Sequence, residues 1–251
     1  MNIVVAMKQI PDLQQIRIRN RQPVFEDVPL TIGLIDKNAL EAAVQIKEQL
    51  DAQVTVLSAG DENLEDTIKE ALAAGADQAY LVMDDALNGT ESSIIAEVLA
   101  AALRQMEDKP DLILFGEGSG DNYSGQTGSR VAALLDLPQV GYASSIVIDG
   151  GKAAVTRSLE DCEEVVEVAL PAVITVISGI NEPRIASVSQ ILKAGRKPRE
   201  TVELDELNIK PGDSAIDTLS NLAPEMERKR ITVKSVDELI QALSSEALIG
   251  R

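Results

Sequence analysis

The chain has 251 residues and a net charge of −18 at pH 7, with 45% hydrophobic, 25% charged and only 2% aromatic residues. Binding of nucleic acid needs basic patches and aromatic stacking faces, so this composition argues against a nucleic acid partner. Histidine is absent, which removes the commonest general base and the commonest zinc ligand, and a single cysteine excludes an internal disulfide or a thiolate metal cluster. We therefore expect neither a metal site nor a set of catalytic side chains.

The apolar segments of the chain are too short to cross a membrane. Met1 leads directly into an apolar strand pattern, without the charged n-region and cleavage site of a secretory signal. The lone cysteine, Cys162, fits a reducing compartment. These features predict a cytoplasmic protein with no membrane span. Its length is sufficient for one large domain, or for one domain with an arm.

The first half of the chain alternates strand and helix patterns. Short apolar runs alternate with apolar stripes at helical spacing, and Gly75 stands where a helix would end. This alternation predicts an α/β fold with a doubly wound, mostly parallel sheet of the Rossmann-like type and helices on both faces. The predicted strands are 2–6, 53–58, 78–83 and 111–115. The predicted helices are 36–50 with Asp36 as N-cap, 61–75 with Asp61 as N-cap, the stripe from Ile95 to Met106, and 126–135.

The pattern changes after Leu137. Strand-like runs then follow one another without helices between them, and Gly150-Gly151 forms a turn between the first two runs. We interpret these runs as added or edge strands of the same domain, which would then span residues 1–210. The predicted strands are 140–148, 152–158, 164–169 and 172–177.

Residues 211–251 form a separate region in this interpretation. Periodicity lapses from Pro211 through Glu227, and a capping box at 235–238 then precedes a short apolar helix pattern. We predict a linker followed by a helical arm. Two alternatives stay open, because the arm could pack on another subunit or fold back on its own domain.

A glycine-rich segment at 116–128 follows the predicted strand 111–115. Closely spaced glycines let backbone amides approach a ligand, and the N-terminus of the following helix favours an anion. The segment lacks the spacing of the dinucleotide-binding fingerprint, because Asp121 stands at the place of the third glycine. Taken alone, the segment fits a phosphate cradle or a plain turn equally well.

The position of this glycine-rich segment favours a nucleotide site. In the common strand order, the first and fourth strands flank the switch point at which doubly wound proteins bind ligands. The loop 7–12 would face the glycine-rich segment there, with Lys8 as a phosphate or flavin-edge contact, or simply as a solvated lysine. Residues 33–36 and 58–60 would reach the same crevice. No nucleophile and base are paired in these loops, so the pattern predicts binding and no reaction.

A second unusual stretch spans residues 181–197 and is called here the 181–197 segment. Pro183 interrupts a strand pattern, and Ile185, Val188 and Leu192 then recur at helical spacing before a basic end. Such a basic end is unexpected in a chain this acidic. The segment fits either a solvated surface loop or an element that docks on a partner protein.

Five stretches carry a family resemblance. They are Asn181-Glu182-Pro183-Arg184 through Lys193-Ala194, Val5-Ala6-Met7-Lys8-Gln9-Ile10-Pro11-Asp12, Ala73-Ala74-Gly75-Ala76-Asp77, Gln126-Thr127-Gly128 and Leu170-Pro171-Ala172-Val173. Together they resemble the β subunit of electron transfer flavoproteins, and the match spans nearly the whole chain in the same order. The first of the five is the diagnostic stretch of that family.

The resemblance implies an adenine-nucleotide-binding α/β fold in a heterodimer with a larger, flavin-binding α subunit on which the arm would pack. It implies a carrier of electrons between a flavin dehydrogenase and a downstream acceptor. AMP would be buried in this subunit and FAD would be held mainly by the α subunit, whereas electron-bifurcating members have a second FAD in place of AMP. Lys8 is predicted to contact the nucleotide from the loop 7–12. The further contacts that the resemblance implies are Ala6, Gly33, Leu34, Ile35, Asp36, Ala59, Ser119, Gly120, Asp121, Asn122, Tyr123, Ser124, Gly125, Gln126 and Thr127. The implied contacts with the dehydrogenase are Arg184, Ile185, Val188, Ile191, Leu192 and Lys193.

The sequence departs from the family pattern at several places. Gly33-Leu34 stand where the family often has Asn-Pro, so backbone groups would hold the adenine there. Val188 replaces the leucine that anchors the segment in its partner, which suggests a partner other than the usual acyl-CoA dehydrogenase. Thr127-Gly128-Ser129 is similar to AMP-binding members, whereas 118–121 is similar to the subgroup linked to nitrogen fixation and carnitine metabolism. On balance the sequence favours AMP.

Two other functions stay open on sequence grounds. An electron-bifurcating flavoprotein would hold a second FAD in this subunit. A stand-alone nucleotide-binding stress protein would have the same α/β core and no electron transfer, but it would need neither the 181–197 segment nor the arm.

Overall fold

The computed structural model describes residues 1–210, 212, 216, 218–225, 230–246 and 248. Parts of the predicted linker and arm lie outside the described residues, at 211, 213–215, 217, 226–229, 247 and 249–251. The chain divides into two compact units. The larger unit consists of Met1–Arg17 and Phe25–Leu219, and the smaller unit consists of Ile18–Val24 and Ser220–Arg251.

The larger unit is built on a sheet that has nine strands within the described part of the chain. The strands of both units are β1 (Asn2–Ala6), β2 (Gln9–Pro11), β3 (Arg17–Arg19), β4 (Gln22–Val24), β5 (Leu30–Ile32), β6 (Gln53–Gly60), β7 (Gln78–Met83), β8 (Leu112–Gly116), β9 (Gln139–Asp149), β10 (Lys152–Ser158), β11 (Glu163–Ala169), β12 (Ala172–Val176) and β13 (Arg199–Val202). The strand order of the large sheet is β11-β10-β9-β12-β8-β1-β6-β7-β13. Strands β9 and β10 and strands β10 and β11 pair antiparallel, and the other neighbours pair parallel.

Helices cover both faces of the parallel part of this sheet. The helices of the chain are α1 (Leu34–Leu50), α2 (Leu64–Ala74), α3 (Ser92–Gln105), α4 (Thr127–Leu135), α5 (Val188–Ala194) and α6 (Val236–Ser245). Successive side chains of a strand point to opposite faces. Accordingly, Ile3 and Val5 of β1 join one hydrophobic cluster with α1 and α2, whereas Val4 and Ala6 join a second cluster with α3 and α4. This arrangement confirms the predicted doubly wound, mostly parallel α/β fold.

The four strands predicted in the first half are confirmed to within two residues at either end, but two predicted helix caps are wrong. Helix α1 has Gly33 as its N-cap, and Asp36 lies buried in the first turn. The carboxylate of Asp36 accepts a hydrogen bond from a different loop, at the backbone N–H of Lys8, and so does not cap its own helix. Helix α2 has Asn63 as its N-cap, and Asp61 accepts a hydrogen bond from the N–H of Asn63 at 2.9 Å. The predicted end of α2 at Gly75 is confirmed.

The second half of the chain adds strands to the same sheet, as predicted. Strands β9, β10 and β11 extend the sheet at one edge, and the turn at Gly150-Gly151 is confirmed by φ angles of 55° and 80°. Strand β12 is added inside that edge, because it lies between β8 and β9 and is parallel to both. Its five residues are all buried. A continuous apolar run is typical of a parallel strand that is covered on both faces.

Several short strands were not predicted. Strands β2 and β5 pair antiparallel in the larger unit, and β13 adds a parallel edge strand beside β7. These strands are only three or four residues long, which is too short for a periodicity signal.

The smaller unit contains β4, most of β3, and α6. The backbone carbonyl of Ala223 accepts a hydrogen bond from Arg21 Nε at 2.8 Å, and Arg21 also pairs with Glu225 at 2.5 Å. Helix α6 has its predicted N-cap, because the Ser235 side chain accepts from the N–H of Glu238. The carboxylate of Glu238 accepts from the N–H of Lys234 at 2.7 Å, one residue earlier than a capping box requires. Every residue of α6 is exposed or half-buried.

Candidate functional site

A cavity of about 320 Å³ lies at the carboxyl ends of the parallel strands of the larger unit. It opens between β1 and β8, where the chain order of the sheet reverses. This is the switch point at which doubly wound proteins bind their ligands. Its lining comes from the loops after four strands and from Thr175 of β12. The lining residues include Ala6, Lys8, Asp36, Ala59, Asn88, Gly89, Thr90, Ser119, Asp121, Asn122, Ser124, Gly125, Gln126 and Thr127.

The glycine-rich loop after β8 forms one wall of the cavity. Two of its residues have left-handed backbone, with φ +46° at Tyr123 and φ +64° at Gly125. The hydroxyl of Tyr123 donates to Glu117 at 2.7 Å, and its ring lies over Gly118, where a Cβ atom would approach the ring to 3.1 Å. The loop is therefore held in its shape by its own side chains.

Helix α4 begins where this loop ends. Gln126 is its N-cap, no side chain caps the first turn, and the first turn carries no acidic residue. The first backbone N–H groups of a helix have no partner within the helix, and the helix dipole favours an anion beside them. Because Gln126 and Thr127 line the cavity, these donors lie at its wall.

Across the cavity, the loop after β1 faces the glycine-rich loop, as predicted. Lys8 Nζ lies 2.5 Å from Asp121 Oδ2, and both side chains are partly exposed. Burial raises the pKa of Asp121, but the hydrogen bonds from Lys8, Ser119 and the backbone of Asn122, together with the charge of Lys8, outweigh burial, and the pKa lies below its usual range. The carboxylate is therefore charged at neutral pH and neutralises Lys8.

Asp36 connects three elements below this ion pair. Its carboxylate accepts from the backbone N–H of Lys8 at 2.8 Å and also from the N–H of Gly116. A Cβ atom on Gly116 would lie 2.6 Å from Asp36 Oδ1, so the close approach requires glycine. Burial raises the pKa of Asp36 to about 7, against the two hydrogen bonds and the charge of Lys8, which lower it.

Sixteen residues were predicted to contact a nucleotide, and the structure brings most of them to the cavity wall. Five lie outside the lining: Gly33, Leu34, Ile35, Gly120 and Tyr123. Leu34 is 65% exposed at the start of α1, and Gly120 packs against Leu13. The roles of all sixteen in binding a nucleotide stay predictions.

One wall of the cavity was not predicted from the sequence. Asn88, Gly89 and Thr90 follow β7 and line the cavity beside Leu87, which belongs to the adjoining short 3₁₀ helix. A signal was available, because the carboxyl ends of all parallel strands meet at one edge of a sheet. The turn-forming Asn-Gly pair after the third predicted strand therefore had to reach this edge.

The 181–197 segment lies apart from the cavity lining, and its first part is fixed to α1. Arg184 donates to Glu41 Oε2 at 2.7 Å and to Glu48 Oε1 at 2.6 Å, and Asn181 and Asn38 exchange hydrogen bonds. Burial raises the pKa of Glu41, but the hydrogen bonds from Arg184 and Gln45 outweigh this effect and hold it below its usual range. Arg184 thus compensates a carboxylate that is only 7% exposed.

The end of the segment is fixed to α2. Lys197 Nζ donates to the carbonyl oxygen of Leu72 at 2.7 Å and also to that of Ala76. Desolvation lowers the pKa of Lys197. Carbonyl groups at the end of a helix lack partners within the helix, so the lysine satisfies groups of α2.

Between these two ends, the segment presents apolar side chains to solvent. Helix α5 begins with a capping box, in which Ser187 and Gln190 bond each other's backbone N–H. Of the six predicted partner contacts, Arg184 is engaged within the chain and Lys193 is exposed. The exposed fractions of the other four are 96% for Ile185, 75% for Val188, 56% for Ile191 and 73% for Leu192.

The described residues offer neither a metal site nor a membrane span. No three acidic, cysteine or histidine side chains among them are grouped as metal ligands. No helix in the described part of the chain combines the length and the apolar character that membrane crossing requires.

Fold and cavity together define a class: a doubly wound α/β protein with a cavity at the switch point of its parallel sheet. Comparison with known proteins then identifies the family. The electron transfer flavoprotein domain matches residues 24–207, and this chain belongs to the electron transfer flavoprotein family.

Curated relatives place the chain on the β-subunit side of that family. The electron transfer flavoprotein subunit beta of Thermoanaerobacterium thermosaccharolyticum is 35% identical, over 97% of this chain and 96% of the relative. The corresponding subunit of Bacillus subtilis is 33% identical, over 99% of this chain and 100% of the relative. The caffeyl-CoA reductase-Etf complex subunit CarD of Acetobacterium woodii is 36% identical, over 84% of this chain and 81% of the relative. The resemblance stated from the sequence is confirmed.

Proposed function

We propose that this chain is the β subunit of a heterodimeric electron transfer flavoprotein and binds AMP in the cavity between β1 and β8. The cavity carries this proposal. It combines a glycine-rich loop, an uncapped helix N-terminus and a lysine at the place where the class binds nucleotides. A phosphate monoester needs this combination of backbone N–H donors and a cation.

The α subunit would hold FAD, which supplies the electron-carrying chemistry when bound. In such a carrier, the protein contributes binding, orientation and electrostatic tuning, and it needs no acid–base residues from this chain. The cavity fits that role, because Asp36 is engaged by a backbone N–H group and Asp121 by the side chain of Lys8. We propose a cytoplasmic location and the α subunit as the obligatory partner, with the helical arm packed on it.

The 181–197 segment would dock on a flavin dehydrogenase. Its two ends are fixed to α1 and α2, so its exposed apolar side chains are presented on a rigid base. An exposed apolar group with a cationic rim is typical of an interaction surface. The contacts would come from Ile185, Val188, Ile191, Leu192 and Lys193, whereas Arg184 would fix the base of the segment.

A second FAD in place of AMP, as the resemblance implies for electron-bifurcating members, is the alternative. The relative from Acetobacterium woodii is named as a subunit of a complex with caffeyl-CoA reductase. A stand-alone stress-type protein has no such support, since the chain belongs to the electron transfer flavoprotein family.

Counting cofactors per heterodimer tests the proposal. The chain is co-expressed with its α subunit, the complex is purified, and the released flavin and AMP are quantified by chromatography after denaturation. We expect one FAD and one AMP per heterodimer. Two FAD molecules and no AMP per heterodimer would show that this subunit binds a second FAD instead of AMP. Recovery of a nucleotide-bound monomer that never takes up the α subunit would contradict the heterodimer itself.

A further inference from the structure

The charge of the cavity wall is unfavourable for a phosphate group. Among the described residues that line the cavity, Lys8 carries the only positive side chain, whereas Asp36, Asp61, Glu117 and Asp121 are acidic. The chain as a whole carries −18, so the surroundings do not correct this balance. A bound phosphate therefore depends on Lys8 and on the backbone N–H groups at the start of α4.

Lys8 is already occupied. Its Nζ atom lies 2.5 Å from Asp121 Oδ2, which is close enough for a charge-assisted hydrogen bond. The two side chains are 44% and 30% exposed, so the ion pair is accessible to solvent and to a ligand. The Asp121 carboxylate thus stands where an anionic ligand group would compete for the same lysine.

Resting on the function proposed above, we propose that Asp121 acts as an internal competitor of the nucleotide phosphate. In the free protein Asp121 holds Lys8, and the phosphate of AMP displaces it. Asp121 then weakens binding instead of contributing a contact. A partly exposed ion pair is worth little, so its displacement reduces the affinity for AMP only by about twofold to fivefold.

A direct contact between Asp121 and the nucleotide would change the affinity for AMP in the opposite direction when Asp121 is replaced. A carboxylate can accept hydrogen bonds from the ribose hydroxyl groups of a nucleotide, and its loss would then weaken binding. Competition and ribose contact are therefore distinguished by the direction in which Asp121→Asn changes the affinity for AMP. Adenosine separates them further, because it has the ribose and lacks the phosphate.

The experiment titrates the nucleotide-free heterodimer with AMP and with adenosine by calorimetry. The variants are Asp121→Asn, Lys8→Met, and the two combined. We expect Asp121→Asn to bind AMP about twofold to fivefold more tightly and adenosine with unchanged affinity. Lys8→Met should bind AMP more weakly, and the gain from Asp121→Asn should be smaller when Lys8 is absent, because only the relief of repulsion then remains.

Asp61→Asn is the matched control, because Asp61 lines the same cavity without pairing to Lys8. An equal gain in this control would overturn the proposal, since general negative charge would then explain the effect. Weaker or unchanged AMP binding by Asp121→Asn would overturn it too, while leaving AMP as the ligand. Absence of AMP binding in the wild type and in every variant would overturn both this inference and the proposed ligand.

Discussion

Asp36 shows how one side chain can organise a cavity wall without any signal of its own in the sequence. Its position before an apolar stripe predicted an N-cap, which is the usual role of aspartate there. The structure buries it instead, and its carboxylate holds the backbone N–H groups of Lys8 and Gly116. The three loops at the switch point are thereby connected through one carboxyl group. The choice between these roles depends on tertiary contacts that no local pattern encodes.

Ionisation of Asp36 should make the protein less stable as the pH rises. Its pKa is raised from 3.8 to about 7 in the folded protein, mainly by burial. A group whose folded pKa is raised contributes stability below the unfolded value and loses it as the pH passes through the folded value. Asp36→Asn should therefore remove a decline of up to roughly 4 kcal/mol between pH 4 and pH 8. Urea unfolding of both proteins across this range measures the difference.

Asp12→Asn is the control of opposite sign. The hydrogen bonds from Gln15 and Gln14 hold the pKa of Asp12 below its usual value. Its contribution is present at neutral pH and is lost as the pH falls, so the difference between this variant and the wild type should disappear in acid. If the free energy of unfolding falls between pH 4 and pH 8 just as steeply in Asp36→Asn as in the wild type, groups other than Asp36 cause the decline.

Elements differ in how well the sequence predicts them. The buried parallel strands β1, β6, β7 and β8 were located to within two residues, because long apolar runs bounded by turns give a strong signal. Strand β12 gives the same signal, but its place between β8 and β9 was not predicted, since its neighbours depend on the crossover and not on its own residues. The cavity was predicted less completely: the loops after β1, β6 and β8 were assigned to it, whereas the loop after β7 was overlooked although its strand was located.

The 181–197 segment illustrates a prediction that composition alone leaves undecided. Its basic end fitted either a solvated loop or an element that docks on a partner, but Arg184 and Lys197 bond α1 and α2 within the chain. Lys193 and Arg196 remain exposed. The sequence shows that four cations are present, and only the fold shows that two of them hold the segment in place.

Val188→Glu tests the proposed docking role of this segment. Val188 is 75% exposed at the start of α5, so a charge there should leave the fold intact and place an unfavourable group in an apolar contact. We expect electron transfer from the dehydrogenase to slow by about tenfold, the typical effect of losing a central interface contact. The dehydrogenase is purified from the source cells by its ability to reduce the heterodimer. Stopped-flow spectroscopy of this reduction then measures the rate of electron transfer.

Leu50→Glu is the matched control for this test. Leu50 is also an exposed apolar residue, 45% exposed at the end of α1, and it is not part of the 181–197 segment. Flavin content and transfer rate should stay at the wild-type level in this variant. Wild-type transfer kinetics in Val188→Glu, with full flavin content, would exclude the segment as the docking surface.

At the scale of the whole molecule, the net charge and the local cations of the 181–197 segment have opposite effects on an acidic partner. The net charge of −18 repels an acidic partner at long range, whereas the exposed apolar surface of the 181–197 segment is bordered by the cations Lys193 and Arg196. In the part of the chain that the structure describes, neither cation takes part in an ion pair. Both are therefore available to an acidic surface, and added salt should screen repulsion and attraction alike.

The salt dependence of electron transfer should show which of the two terms dominates. The Debye length is about 10 Å at 0.1 M salt, so distant charges are largely screened there while contacts at the segment still act. We expect the second-order rate constant to fall as salt rises from 0.05 to roughly 0.5 M, because the local attraction is lost. In the double variant Lys193→Ala and Arg196→Ala only the repulsion remains, so its rate constant should start lower and rise with salt. The same decline in both proteins would place the attractive contact elsewhere on the heterodimer, because the two cations would then contribute nothing to the encounter.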